Sequence, residues 1–206
     1  QHVQAGRIEQ LHLGNQQIYG YHGVPSSFSS QVVVVLLHGA KFSADTWKEL
    51  GTLQILADRG YESYAIDLPV TGKRTKFNGK KEEFLPYFLD LLDSKKQVVL
   101  VSPSMSGLFS VPFLVGSSRQ KERVVGFIPI APPAVTQYKT ELHLIHIPCL
   151  LLFGDRDPFV NRLRPLMESQ LPSYQTIIFE GAGHPCYYDR PKLWHETLLH
   201  FLKSTF

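Results

Sequence analysis

Apolar residues along the chain fall into short runs of two kinds. The first kind is continuous and rich in β-branched residues. Val32-Val33-Val34-Val35-Leu36-Leu37 has no polar position at all, so both faces of such a strand must be covered. Tyr64–Leu68, Val98–Val101, Val124–Ile130, Cys149–Phe153 and Thr176–Phe179 are further short, mainly apolar runs. The second kind has helical spacing. Trp47, Leu50, Leu53 and Leu56 predict one helix, capped by Ser43 and closed by Gly60. Phe84, Phe88, Leu89 and Leu92 predict another across 82–93, and Leu163, Leu166 and Met167 a shorter one ended by Pro172. Pro191 opens a last helix carrying Trp194, Leu198, Phe201 and Leu202.

Ahead of these, 7–13 and 17–22 alternate loosely around Gly14-Asn15, which predicts an N-terminal hairpin followed by a turn-rich connector over 23–30. Residues 70–81 read as a polar surface loop. Strands alternating with helices imply an α/β fold: a mostly parallel central sheet with helices on both faces. A length of 206 residues suits a single domain spanning 1–206. No repeat, low-complexity segment or linker interrupts it.

Composition narrows the function classes. An apolar fraction of 43% supports an ordinary core, and no apolar run approaches a membrane span. A net charge of +3 is too mild to argue nucleic-acid binding. The two cysteines are too few for a disulfide scaffold. Cys149 reads as a small buried hydrophobe, while Cys186 has no assigned role. His143 and His146 lack companions at metal-ligand spacing, so no metal is expected. The chain begins at Gln1 without a signal-peptide pattern, and an anchor upstream of it is left open.

The chemistry concentrates where strands end. Val98–Val101 stops at Ser102-Pro103-Ser104-Met105-Ser106, and a helical pattern follows, with Pro112 marking a kink or a first turn. Strand, tight turn and helix with a serine at the apex is the plan of the α/β-hydrolase nucleophile elbow, usually G-x-S-x-G. The turn needs small residues two before and two after the nucleophile. Only Ser104 meets this: centring on Ser106 or Ser102 puts Leu108 or Leu100 at a position that must be small. By itself S-x-S-x-S equally suits a polar strand-end loop. Asp157, in Gly154-Asp155-Arg156-Asp157-Pro158, and His184, in Gly181-Ala182-Gly183-His184, follow later strands. The order Ser, Asp, His matches the α/β-hydrolase order. In that reading His184 takes the Ser104 proton and Asp157 orients the imidazole. The Met105 N–H and a second N–H from Ala40 or Lys41 hold the oxyanion. His38 reads as a structural loop histidine, and either aspartate alone would suit a turn cap.

The residues resemble one branch, the α/β-hydrolase domain-containing 14 family. The resemblance rests on Leu-Leu-His-Gly (36–39), Phe-Ser-x-x-Thr-Trp (42–47), Ala-Ile-Asp-Leu-Pro (65–69), Val-Ser-Pro-Ser-x-Ser-Gly (101–107), Gly-Asp-x-Asp-Pro (154–158) and Gly-Ala-Gly-His-Pro-Cys-Tyr (181–187). Gly-Asp-x-Asp-Pro is more similar to the B-type member than to the membrane-anchored A type. The resemblance implies the fold, the Ser104, Asp157 and His184 roles, and the choice of Asp157 over Asp155. It implies action on small acyl esters and acetyl-lysine, with coenzyme A as acyl acceptor. It further implies a cytoplasmic or nuclear setting with a transcription-related protein partner. The family's Gly-rich turn after Leu68-Pro69 is replaced here by Val70-Thr71-Gly72-Lys73-Arg74.

Two expectations concern substrate. Only 134–146 separates Pro133 from Ile147-Pro148, too little for a lid domain, so the site should be open and suited to a short acyl group on a large carrier. Lys73, Arg74 and Lys76, together with Lys41, are candidates for attracting an anionic acceptor such as the phosphates of coenzyme A. No tightly bound cofactor is expected, and the chain should be a monomer. The rival reading is a non-catalytic module that keeps the fold and binds a protein partner.

Overall fold

The computed structural model describes residues 5–11, 13–28 and 30–206. Residues 1–4, on which the reading of the chain's start rests, lie outside them, as do His12 of the expected hairpin and Ser29 of the connector.

Eight strands form one sheet: β1 (Arg7–Gln10), β2 (Gly20–Val24), β3 (Val32–Leu36), β4 (Glu62–Ile66), β5 (Gln97–Pro103), β6 (Val124–Ile130), β7 (Cys149–Gly154) and β8 (Tyr174–Phe179). Their spatial order is β1-β2-β4-β3-β5-β6-β7-β8. β1 and β2 pair antiparallel, and β2 joins β4 antiparallel; every later pairing is parallel. The hairpin is therefore present, but it opens later than its sequence pattern suggests. A 3₁₀ turn at Gly14–Gln16 takes up the loop, and the second strand starts at Gly20 and runs through Val24 into the expected connector.

Alternate residues of the central strands feed two cores. Val33, Val35 and Leu100 face the layer of α3 (Lys81–Asp90), α4 (Gly107–Val115) and α5 (Val160–Gln170). Val32, Val34, Leu36, Val99 and Val101 face α1 (Ala44–Glu49), α2 (Thr52–Asp58), α6 (Cys186–Asp189) and α7 (Pro191–Thr205). Every residue of β3 is buried, as its continuous apolar run requires. The expected single helix after Ser43 is two. Ser43 caps α1 and accepts from the Asp45 N–H, but Gly51 takes a left-handed conformation (φ 82°) and turns the chain before α2. The short segment over 134–146 forms 3₁₀ turns at Pro133–Tyr138 and Leu142–Leu144 and no lid.

The connections set where a ligand goes. From β3 the chain steps to β4 on one side; from β5 it steps to β6 on the other. Neighbouring parallel strands whose connections diverge leave a crevice beyond their C-terminal ends. Here the crevice lies between the loops following Leu36 and Pro103.

Two buried histidines staple the layers. His38 is 1% exposed. Its Nε2 accepts the Leu68 N–H at 2.9 Å, so the proton sits on Nδ1, which donates to the Gly39 carbonyl at 2.9 Å. It is a structural loop residue. His195 meets the Thr52 hydroxyl at 2.8 Å, and Trp194 Nε1 donates to the same oxygen, joining α7 to α2. Burial holds both imidazoles below their usual pKa of 6.5. Above that value folded and unfolded chains both carry neutral rings. Below it the unfolded chain takes up protons first. Stability measured by urea denaturation should therefore fall as pH drops from 7 towards 5, before ordinary carboxylates titrate. His195→Gln, which keeps a polar partner for Thr52, should flatten part of that fall.

Candidate active site

β5 ends at Pro103, and Ser104 follows with φ of 49°, a positive value that few side-chain-bearing residues adopt. This is the strained turn of an elbow. The small flanking residues have room and also a bonding pattern. Ser106 Oγ donates to the Pro103 carbonyl at 2.7 Å. Having one proton, it must accept from Ser102 Oγ at 2.9 Å, which in turn accepts from Ser110 Oγ at 2.6 Å. Three buried hydroxyls thus run in one direction and end on the peptide group preceding Ser104. The sequence explains their size; their chaining was not legible, because Ser110 lies a helical turn away. Gly107 completes the fit, since a Cβ there would stand 2.8 Å from Pro132.

Ser104 Oγ lies 2.7 Å from His184 Nε2, and His184 Nδ1 lies 2.6 Å from Asp157 Oδ2. Asp157 is buried and also accepts the Phe159 N–H at 3.0 Å. The other aspartate of the motif faces elsewhere: Asp155 Oδ1 accepts the Gly181 N–H. The three residues expected from sequence thus form one hydrogen-bonded relay. It can pass a proton from a serine hydroxyl to an imidazole whose orientation a carboxylate fixes. Phe159 packs against the His184 ring, 5.1 Å between centroids.

The loop carrying His184 is stitched to the loop carrying Asp157. The Arg156 N–H donates to the Ala182 carbonyl, the Gly181 N–H to Asp155, and the Gly183 N–H to Asp189 Oδ2. Gly154 permits this approach: a Cβ there would lie 2.2 Å from both the Ala182 and Gly183 carbonyl oxygens.

A cavity of about 310 Å³ opens beside the relay. Its wall is mainly apolar, with Phe42, Pro103, Ile130, Pro185 and Tyr187, and it includes Gly39, Ala40, Lys41, Ser104 and His184. Ala40 sits on this wall. Met105 follows Ser104 in the first turn of a 3₁₀ helix, where backbone N–H groups have no partner within the helix. Phe42 and Tyr187 enter the sequence reading only as motif positions of the family resemblance, without a role at the site.

Of the four basic candidates, only Lys41 lines the cavity. Lys73, Arg74 and Lys76 do lie beyond the C-terminal end of β4, on the same side of the sheet as Ser104. Arg74, however, is engaged within the protein. Its Nε and Nη2 reach the buried Asp67 at 2.9 and 3.1 Å, its Nη1 reaches Asp45 at 3.1 Å, and its guanidinium lies 3.5 Å over the Tyr19 ring. The guanidinium and the Ala44 N–H hold the Asp67 carboxyl below its usual range despite burial. Both cysteines are buried, and desolvation pushes their thiols up to about 12, which keeps them unreactive. Among the described residues no cluster suits a metal ion, and no helix is long and apolar enough to cross a membrane.

No family model matches the sequence. Relatives and solved structures do. The chain is 36% identical to human ABHD14B, named as a candidate protein-lysine deacylase, over 97% of this chain and 99% of that one. It is 36% identical to human ABHD14A over 92% of this chain and 70% of that one. In structure it is similar to a CIB-like hydrolase from Thermoplasma acidophilum, with a TM-score of 0.79, 21% identity, and 97% and 99% of the two chains covered.

Two substitutions test the architecture of the site. Arg74→Ala should cost about 2 to 4 kcal/mol in urea denaturation, because it leaves the buried Asp67 carboxylate without its countercharge, held by backbone N–H groups alone. Gly154→Ala should push the His184 loop off the end of β7. Labelling of Ser104 by a fluorophosphonate should slow at least tenfold, with a stability loss of about 1 to 3 kcal/mol.

Proposed function

The chain belongs to the ABHD14 family of α/β-hydrolase-fold proteins, and on that premise we propose that it is a serine hydrolase or acyltransferase acting on short acyl groups. One observation carries the reading: Ser104, His184 and Asp157 stand in a continuous hydrogen-bonded relay at the mouth of a mainly apolar cavity.

The chemistry follows from that arrangement. A substrate carbonyl enters beside Gly39 and Ala40. Ser104 Oγ attacks the carbonyl carbon as its proton passes to His184 Nε2. Asp157, fixed by its bond to the Phe159 N–H, stabilises the imidazolium. The negative oxygen of the tetrahedral intermediate lies against the Ala40 and Met105 N–H groups. On collapse, the leaving alcohol or amine takes the proton from His184, and the acyl group stays on Ser104. An acceptor hydroxyl or thiol then gives its proton to His184 and attacks the acyl-enzyme. Acyl transfer to the acceptor restores the Ser104 hydroxyl.

Substrate follows the shape of the site. The short segment over 134–146, which forms no lid, favours a small acyl group on an exposed carrier, such as an acetyl ester or acetyl-lysine. The name of the B-type relative points the same way. Water and coenzyme A are the acceptors proposed. With Arg74 engaged by Asp67 and Asp45, the phosphates of coenzyme A fall to Lys41, Lys73 and Lys76. A protein partner, a monomeric state and a cytoplasmic or nuclear location are part of the same proposal.

A fluorophosphonate probe should label Ser104, mapped by mass spectrometry, and labelling should vanish in Ser104→Ala and His184→Ala. Hydrolysis of a p-nitrophenyl acetate substrate should drop at least a thousandfold in both variants and should decline steeply as the acyl chain lengthens. Folded wild-type protein that takes no label and turns over no ester would overturn the reading in favour of a non-catalytic binding module. Charge reversal at Lys73 and Lys76 should raise the KM for coenzyme A without changing ester hydrolysis.

A further inference from the structure

The relay leaves one polar group of the cavity unused. Tyr187 lies on the cavity wall and is 2% exposed. Its hydroxyl makes no hydrogen bond to the described residues, yet it is not among the sealed polar atoms of the core. It opens on the cavity. A donor left unpaired by its neighbours at a cavity wall is free to bond an acceptor that enters the cavity.

Where that donor points is fixed by its neighbours. A Cβ added at Gly39, itself a residue of the cavity wall, would stand 3.8 Å from Tyr187 Oη, 3.7 Å from Ser104 Cβ and 3.6 Å from the Phe42 ring. The phenol oxygen therefore shares one small space with the nucleophile and with the loop of Ala40. The ring cannot swing away. It stacks on Trp47 with centroids 4.8 Å apart and meets Trp194 and Phe42 edge-on. Trp47 is itself pinned, with its Nε1 donating to the Leu37 carbonyl at 2.8 Å. Burial raises the phenol pKa above its usual value, so the donor keeps its proton.

We propose that the Tyr187 hydroxyl is a third oxyanion donor, a catalytic residue that bonds the carbonyl oxygen of the substrate as negative charge develops on it. The proposal rests on the acyl-enzyme reading of Ser104. It differs from a structural role for Tyr187 in one decisive respect. The hydroxyl bonds none of the described residues, so its removal leaves the hydrogen bonds among them in place.

The test is Tyr187→Phe, assayed on p-nitrophenyl acetate and on longer acyl esters beside Ser104→Ala. A donor realised in the transition state should lower kcat about 10- to 100-fold, with KM within twofold and the same factor at every chain length. Thermal stability should match the wild type. An unchanged kcat, or a change confined to KM or to acyl-length preference, overturns the proposal and makes Tyr187 a wall of the acyl site. If Ser104→Ala retains full activity, the acyl-enzyme reading fails first, which separates the two failures.

Discussion

Everything at the site depends on one backbone angle. At φ of 49°, Ser104 sits where a side chain costs about 1 to 3 kcal/mol. The gain is position: the hydroxyl stands clear of the sheet, within reach of a histidine from another loop. Such a turn survives only where its surroundings over-determine it. β5 enters it from the middle of a parallel sheet, paired on both sides. The serine chain ties the turn to its own helix, and Pro132 packs against Gly107 on the far side. Ala131, just before that proline, has a positive φ of 45° as well, so two strained turns brace one another.

Much of this was legible in the amino-acid sequence, and for physical reasons. A strand buried on both faces has no alternative to a continuous apolar run, so Val32–Leu37 could be read directly. The elbow is so tight that its neighbours must be small, which singled out Ser104. Features that depend on space rather than on local pattern were harder to read. Leu50 and Leu53 keep helical spacing across Gly51, and periodicity alone does not record that the axis turns there. The second strand of the hairpin starts late because a 3₁₀ turn over 14–16 and an isolated Leu13–Ile18 bridge precede it. Lys73, Arg74 and Lys76 look alike as charges, yet the buried Asp67 and the nearby Asp45 engage Arg74.

That engagement changes what the loop after β4 is. It is a segment whose shape is held electrostatically. Arg74 ties the loop to α1 through Asp45 and to the strand end through Asp67, and it covers Tyr19 of the N-terminal hairpin. Thr75 continues the seam, its hydroxyl accepting the Tyr19 N–H. The loop is thereby part of the scaffold beside the crevice, and its remaining lysines present their charge from a fixed base.

The two halves of the relay are not equally anchored. Ser104 hangs from β5 at the centre of the sheet. His184 follows β8, the outermost strand, whose first two residues are exposed and whose next three are half-buried. The aspartate and histidine loops are stitched to each other across Gly154, on the rim side of the serine. Fraying at this rim would separate base from nucleophile by sliding a hinged flap away from a wall, while the remainder of the sheet stayed intact. The working state of such a protein is narrower than its folded state.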